Sequence, residues 1–248
     1  MRPVLLHGAA VEKRFGRVTA LRGIDFEIEA GESVSILGAN GAGKSTLLRI
    51  LAGLSRPSAG RFEARREGTA GDDAPLSRNA LRGEIGYVGH ATLLYGELSA
   101  RENLVFAARL HGARPDRDRI DAVLADVGLM EVADRRAGTF SRGMAQRLSI
   151  ARAVVHDPQV LLLDEPFTGL DETSAERLST QLAALREGGR TLILVTHDPR
   201  RAIELCARAL ILHRGEIRAK PAGDVFELAA LRETLSRLAL NGATRHAL

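Results

Sequence analysis

Nine residues, Gly38-Ala39-Asn40-Gly41-Ala42-Gly43-Lys44-Ser45-Thr46, restrict what this chain can fold into more than any other stretch. Gly38, Gly43, Lys44 and Ser45 fit the spacing G-x-x-x-x-G-K-[ST] of a phosphate-binding loop. The apolar run Ser33 to Leu37 precedes the loop and a helical pattern, Thr46 to Leu54, follows it, so the glycines join a strand to a helix. Glycines leave the backbone room to close around an anion. The N–H groups of Asn40, Gly41, Ala42, Gly43 and Lys44 are expected to wrap a β-phosphate at the helix N-terminus, with Thr46 completing the set. Lys44 is placed to reach the β and γ oxygens, and Ser45 to ligate Mg²⁺. Lysine occurs only at 13, 44 and 220, so chance would produce such a match in roughly one of several hundred chains of this length.

A second element belongs with the first. In Val160-Leu161-Leu162-Leu163-Asp164-Glu165 an uninterrupted apolar run ends in two acids. Its lack of alternation, shared by Thr191 to Val195, predicts strands covered on both faces, as in a parallel sheet. Asp164 and Glu165 then fall at the carboxyl edge, where open α/β sheets bind ligands. Asp164 suits the Mg²⁺ shell and Glu165 the general base for an attacking water. Paired acids after a strand also suit a solvated turn, and the phosphate loop decides for the site.

The remaining segments read more coarsely. Short strands are expected around Val4 to Leu6, Gly23 to Ile28 and Ile85 to Val88, with a Gly-, Asp- and Arg-rich loop from Arg65 to Arg82. From about Ala100 to His156 no strand-like run occurs, which predicts an all-α lobe. Asp224 to Leu240 spaces Val225, Leu228, Leu231, Leu235 and Leu238 as one helical face, with Gly242 past its end. That helix docks on its own domain or meets a partner. The single Cys206 excludes an internal disulfide, and without a cleavable leader a reducing cytoplasm is expected. No apolar run reaches the roughly 20 residues that span a bilayer. The formal charge of +4 comes from scattered arginines without interleaved aromatics, so no nucleic-acid partner is expected.

Further motifs follow in a specific order: Phe140-Ser141-Arg142-Gly143-Met144-Ala145-Gln146-Arg147, then Thr168-Gly169-Leu170-Asp171, then Thr196-His197. With the two elements above, they make the chain from about Val4 to Gly223 resemble the nucleotide-binding subunits of ABC transporters. The resemblance implies an α/β P-loop NTPase core of ABC ATPase type, mainly a parallel sheet with an antiparallel β edge and an inserted all-α subdomain. It places the ATPase domain at 1–222, the inserted lobe at about 91–157, and a C-terminal helix and tail at 223–248. It also implies ATP hydrolysis coupled to transport, with ATP and Mg²⁺, separate membrane-spanning subunits, and a head-to-tail homodimer formed on ATP binding.

Site roles come with the resemblance. Phe15 lies where an aromatic stacks on adenine, Glu165 polarises water and His197 touches the γ-phosphate. Ser141 and Gly143 would face the nucleotide held by a second copy, and Asp171 ends the segment that resembles the family's D-loop. Arg142 and Met144 depart from the usual L-S-G-G-Q signature.

Two details refine the reading. Tyr87-Val88-Gly89-His90, Glu97 to Gly112 and Leu51 to Gly60 resemble the ATPase subunits of cytochrome c maturation haem exporters, at the cytoplasmic face of the inner membrane. A drug or lipid exporter and a soluble iron–sulfur assembly ATPase are the alternatives. The latter's signature runs toward G-G-E-K-K-R, against Gly143 to Arg147 here. His90 occupies a position usually held by glutamine. A neutral imidazole still offers one acceptor toward Mg²⁺ or water, so the same catalytic role is expected, with a loss of activity in acid. The apolar Leu93-Leu94-Tyr95 beside it predicts a membrane-partner contact.

Overall fold

The computed structural model describes residues 4–66, 74–114, 116–223 and 226–243. In chain order the elements are β1 (Val4–Phe15), β2 (Val18–Ile28), β3 (Ser33–Leu37), α1 (Lys44–Leu51), β4 (Ala59–Arg66), α2 (Arg78–Gly83) and β5 (Ile85–Val88). Then come α3 (Ala100–Leu110), α4 (Arg117–Asp126), α5 (Arg142–Val154), β6 (Val160–Asp164), α6 (Glu172–Glu187) and β7 (Thr191–Val195). The chain closes with α7 (Pro199–Leu205), β8 (Arg208–His213), β9 (Glu216–Ala219) and α8 (Leu228–Ala243).

Six strands form one sheet in the order β5-β6-β7-β3-β8-β9, parallel except for β9 at its edge. A smaller antiparallel sheet runs β2-β1-β4. The large sheet separates two apolar cores, and alternate residues of each strand serve opposite sides. Val160, Leu162, Ile193 and Val195 join the core shared with α1 and the antiparallel sheet, while Leu161, Leu163, Leu192 and Leu194 face the helices. Every residue of β3, β6 and β7 is buried. At about 1.5–3 kcal/mol per buried aliphatic side chain, this face-to-face burial outweighs any local propensity. It is also why these strands show no alternation in sequence.

Between β5 and β6 the chain is helical, with α3, α4 and α5 packed on one another. The capping box of Ser99 and Glu102 starts α3, and the Ser141 side chain caps α5.

Some expectations need correction. β1 and β2 are long strands, because bulges break their period: Leu6 and Val11 are both buried although they lie on opposite parities, and Ala10 takes φ 46 between them. Gly23, φ 66, does the same between Leu21 and Ile24. The expected loop Arg65 to Arg82 contains the end of β4 and the helix α2, with 67–73 outside the described residues. β4 pairs only with β1 and buries only Ala64, so its charged sequence carries little strand signal. Helix α1 begins at Lys44 and ends at Leu51, with Gly53 at φ 63 beyond it, rather than spanning Thr46 to Leu54. The last helix starts at Leu228 and runs through Gly242, while Val225 lies outside the described residues. Leu231 is buried and Leu235 and Leu238 pack on the main core, so α8 docks on its own chain. No helix among the described residues is long and apolar enough to cross a membrane.

Candidate active site

The phosphate loop leaves β3 at Gly38, whose φ of 148 suits glycine; a Cβ there would sit 2.2 Å from the Leu212 carbonyl oxygen of β8. Gly43, φ 106, caps α1 where a Cβ would lie 2.6 Å from the Ala20 oxygen. Asn40 and Gly41 are exposed, Ala42 is buried, and Ser45 and Thr46 are half-buried on the first turn of α1. Lys44 is 7% exposed and its Nζ donates to the carbonyls of Gly38, at 2.7 Å, and Ala39, at 3.1 Å. Burial lowers the pKa of this ammonium, against the opposing pull of Glu165 and Asp164. A cation held by backbone carbonyls beside the N-terminus of α1 fits a polyphosphate.

Strand β6 delivers the acids. Asp164 is buried at its end, and the Ser45 hydroxyl donates to its Oδ1 at 3.2 Å. Glu165 takes φ 53, rare for a side-chain-bearing residue, and its N–H donates to the Val195 carbonyl at 2.9 Å. That turn directs its carboxylate to His197, whose Nδ1 lies 2.8 Å from Glu165 Oε2. His90, exposed after β5, lines the same cleft of about 720 Å³. Residues from 38 to 197 are thus collected at one carboxyl edge of the parallel sheet. The Ser45 hydroxyl and the Asp164 carboxylate are hard oxygen donors suited to Mg²⁺, which takes few protein ligands and completes its shell with water and phosphate. Among the described residues no group of three His, Cys, Asp or Glu gathers to hold a metal unaided.

Phe15 is not among the residues lining the cleft. It ends β1, 52% exposed, with Lys13 Nζ 5.1 Å from its ring centroid. Val18, Thr19 and Ala20 of β2 line that side instead. They were missed because β2 looked shorter in the sequence than it is.

Ser141, Gly143 and Asp171 also lie outside the cleft of their own chain. Ser141 Oγ accepts from the Met144 N–H at 3.3 Å, and a Cβ on Gly143 would meet Ser174 Oγ at 3.1 Å. Asp171 caps α6 by accepting from the Ser174 N–H at 2.7 Å, and this hydrogen bond holds its carboxyl below the usual aspartate range. Arg142 lays its guanidinium against Gly169, where a Cβ would come within 2.3 Å of Cζ. The signature start and the loop before α6 therefore form one exposed surface.

Comparison with known proteins agrees with this geometry. A model of the ABC transporter family matches residues 21–168. The Nod factor export ATP-binding protein I of Burkholderia orbicola (strain AU 1054) is 35% identical over 246 residues, covering 92% of this chain and 79% of that protein. The ABC transporter ATP-binding protein NatA of Bacillus subtilis (strain 168) is 38% identical over 205 residues, 81% of this chain and 80% of its own. A dimeric ATP-binding cassette, MJ0796 bound to ADP and Pi, matches with TM-score 0.76 at 30% identity over 88% of this chain and 98% of its own. The chain belongs to the ABC transporter family, as one of its ATP-hydrolysing subunits.

Proposed function

We propose that this cassette drives an exporter built from separate membrane chains at the cytoplasmic face of the inner membrane, with haem for cytochrome c maturation as its cargo. The observation that carries the ATPase cycle is the split between two surfaces. Lys44, Ser45, Asp164, Glu165 and His197 line an open cleft, while Ser141 and Gly143 sit elsewhere at the start of α5. A second copy set head to tail closes each cleft, bringing the positive end of α5 to the γ-phosphate. ATP then acts as the adhesive between copies. Glu165 accepts a proton from the attacking water, His197 donates to the γ-phosphate, and His90 takes the place of the usual glutamine beside the water. Ser45 and Asp164 would hold Mg²⁺, which would neutralise phosphate charge. Asp171 borders the opposite site and Phe15 approaches the adenine. The ATPase domain occupies 1–222 and the terminal helix and tail 223–248.

Export is supported by the likeness to the Nod factor export ATP-binding protein I of Burkholderia, and haem by the resemblance carried in Tyr87 to His90 and Leu51 to Gly60. The test is to purify the tagged chain with its membrane chains, reconstitute the complex in liposomes, and supply haem or an amphipathic drug with ATP. ATP-dependent movement of haem across the bilayer, absent with Glu165→Gln, is the expected result. Drug or lipid movement with no response to haem would remove the haem reading, and soluble scaffold proteins in place of membrane chains would remove the exporter.

A further inference from the structure

Arg201 stands in the first turn of α7, where a helix dipole favours acids and offers a cation nothing. Its side chain is nonetheless only 15% exposed and fully engaged. Nη1 donates to Ser179 Oγ of α6 at 3.1 Å and to Glu204 Oε2 at 2.8 Å, and Nη2 donates to Glu172 Oε1 at 3.2 Å. Cζ lies 5.3 Å from the centroid of the Phe167 ring, within cation–π range. Ser179 is buried, so one of these contacts reaches the interior. At the other end of α7, Arg186 Nη1 of α6 donates to the Leu205 carbonyl at 3.3 Å, and Ala202 and Leu205 are buried.

These contacts surround the Glu165–His197 pair. Phe167 follows Pro166, the neighbour of Glu165; Glu172 follows Asp171, the cap of α6; and α7 begins just after His197 and its cap residue Asp198. The His197 side chain is 69% exposed, and its hydrogen bond to Glu165 orients it. Little packing can hold a ring so exposed, so its place depends on the backbone from Thr196 to Asp198. That backbone leaves β7 at Val195 and is fastened to α7 at its far end. Asp198 accepts from the Arg200 N–H at 2.9 Å and donates its own N–H to Thr196 Oγ1 at 3.1 Å. A shift of α7 is therefore a shift of His197. On the other arm, Glu165 turns at φ 53, and Phe167 close behind it carries the Arg201 guanidinium. One planar group thus touches both arms of the pair.

We propose that Arg201 is a positioning residue for ATP hydrolysis: by pinning the first turn of α7 to Phe167 and α6, it holds His197 on the Glu165 carboxylate. The proposal rests on the roles given above to Glu165 and His197, and adds the residue that sets their register. Guanidinium suits the task because its donors lie in one fixed plane, whereas a lysine ammonium is a point charge on a flexible stem. Lys44 and the phosphate loop stand on α1, away from these contacts, so the effect falls on the chemical step and not on ATP binding.

The experiment pairs kinetics with a direct view of the ring. The tautomer of His197 is read from its ring-nitrogen NMR resonances in the full chain without nucleotide, at a pH where the ring is neutral, and assigned with His197→Gln. Wild type should show the Nδ1–H form that the bond to Glu165 requires. Arg201→Met and Arg201→Lys should each show the mixture of both forms that an unpaired ring adopts. In complex with the membrane chains, kcat for ATP should fall roughly tenfold or more in both, with KM within about twofold of wild type. If Arg201→Met fails to fold, Arg201→Lys decides, since it keeps the charge and the aliphatic stem. A variant that melts earlier but keeps its rate and tautomer makes Arg201 a purely structural residue and overturns the proposal. So does a fall in kcat with the Nδ1–H form intact, or a raised KM in place of a lowered kcat. Wild type without the Nδ1–H form, or His197→Ala hydrolysing as fast as wild type, overturns the reading of the pair itself. Arg201→Lys behaving as wild type while His197→Ala is inactive overturns the positioning role alone.

Discussion

Nδ1 of His197 lies 2.8 Å from Oε2 of Glu165, across the mouth of the cleft that holds Lys44. An ionised carboxylate only accepts, so the ring donates from Nδ1 and turns its other nitrogen outward. The pair holds Glu165 in place and leaves one histidine nitrogen for a phosphate oxygen. Glu165→Gln should therefore retain ATP binding and slow hydrolysis by about 10²-fold or more, the usual contribution of a positioned base. Size exclusion with Mg-ATP should show a closed dimer of this variant. A protein that stays monomeric at saturating ATP would count against the shared site.

Lys44→Ala acts earlier in the cycle. Its Nζ already sits among loop carbonyls, poised for phosphate, so the loss should appear as weaker ATP binding. Combined with Glu165→Gln, it should abolish the ATP-dependent dimer. Isothermal titration separates the two variants, and unchanged ATP affinity in Lys44→Ala would overturn this role.

How much was legible in the sequence depended on the range of the interactions. The phosphate loop, the buried strands and the acids of β6 are local patterns and folded as expected. β1 and β2 hid because Ala10 and Gly23 switch the buried face mid-strand, and β4 because an edge strand needs little apolar surface. Thr19 and Ala20 reach the cleft only through that unrecognised length of β2. Of the apolar stretch Leu93-Leu94-Tyr95, Leu93 and Tyr95 are exposed, whereas Leu94 packs against the core.

Acid should destabilise the chain through His156. Burial, and then His111 beside it, pushes this imidazole down from 6.5 to about 4. Because the folded ring resists protonation while the unfolded one does not, stability is complete above about 6.5 and falls as the pH drops toward 4. The slope approaches ~1.4 kcal/mol per pH unit at most, discounted for the ring's partial exposure. His156→Gln should flatten the decline in melting temperature between pH 6.5 and 4.5. An unchanged slope would mean that other groups dominate acid unfolding.

Asp171 separates a structural role from a catalytic one. Asparagine caps helices about as well as aspartate, while alanine removes the cap. Asp171→Asn should thus melt near wild type and Asp171→Ala below it. If the charge serves the neighbouring site, both variants lose ATP turnover in the dimer. Activity that tracks melting temperature alone would assign Asp171 to the cap of α6 and nothing more.

His90 enters the cleft from the end of β5, whereas Ser45 comes from α1 and Asp164 and Glu165 from β6. What the position needs is an acceptor that moves with the helical lobe, since β5 leads into that lobe through Leu93 and Tyr95. Glutamine offers a carbonyl and neutral histidine a ring nitrogen, so the two are interchangeable in function though not in shape. His90→Gln should keep most of the ATPase activity, and His90→Ala should lose tenfold or more while binding ATP as before. The measurement is Mg²⁺-dependent hydrolysis by the three proteins in complex with their membrane chains, titrated in Mg²⁺ at fixed ATP. A role beside the metal predicts that alanine also raises the Mg²⁺ concentration needed for half-maximal rate. If alanine matches wild type at every Mg²⁺ concentration, the side chain is a spacer, and the loop acts through its backbone.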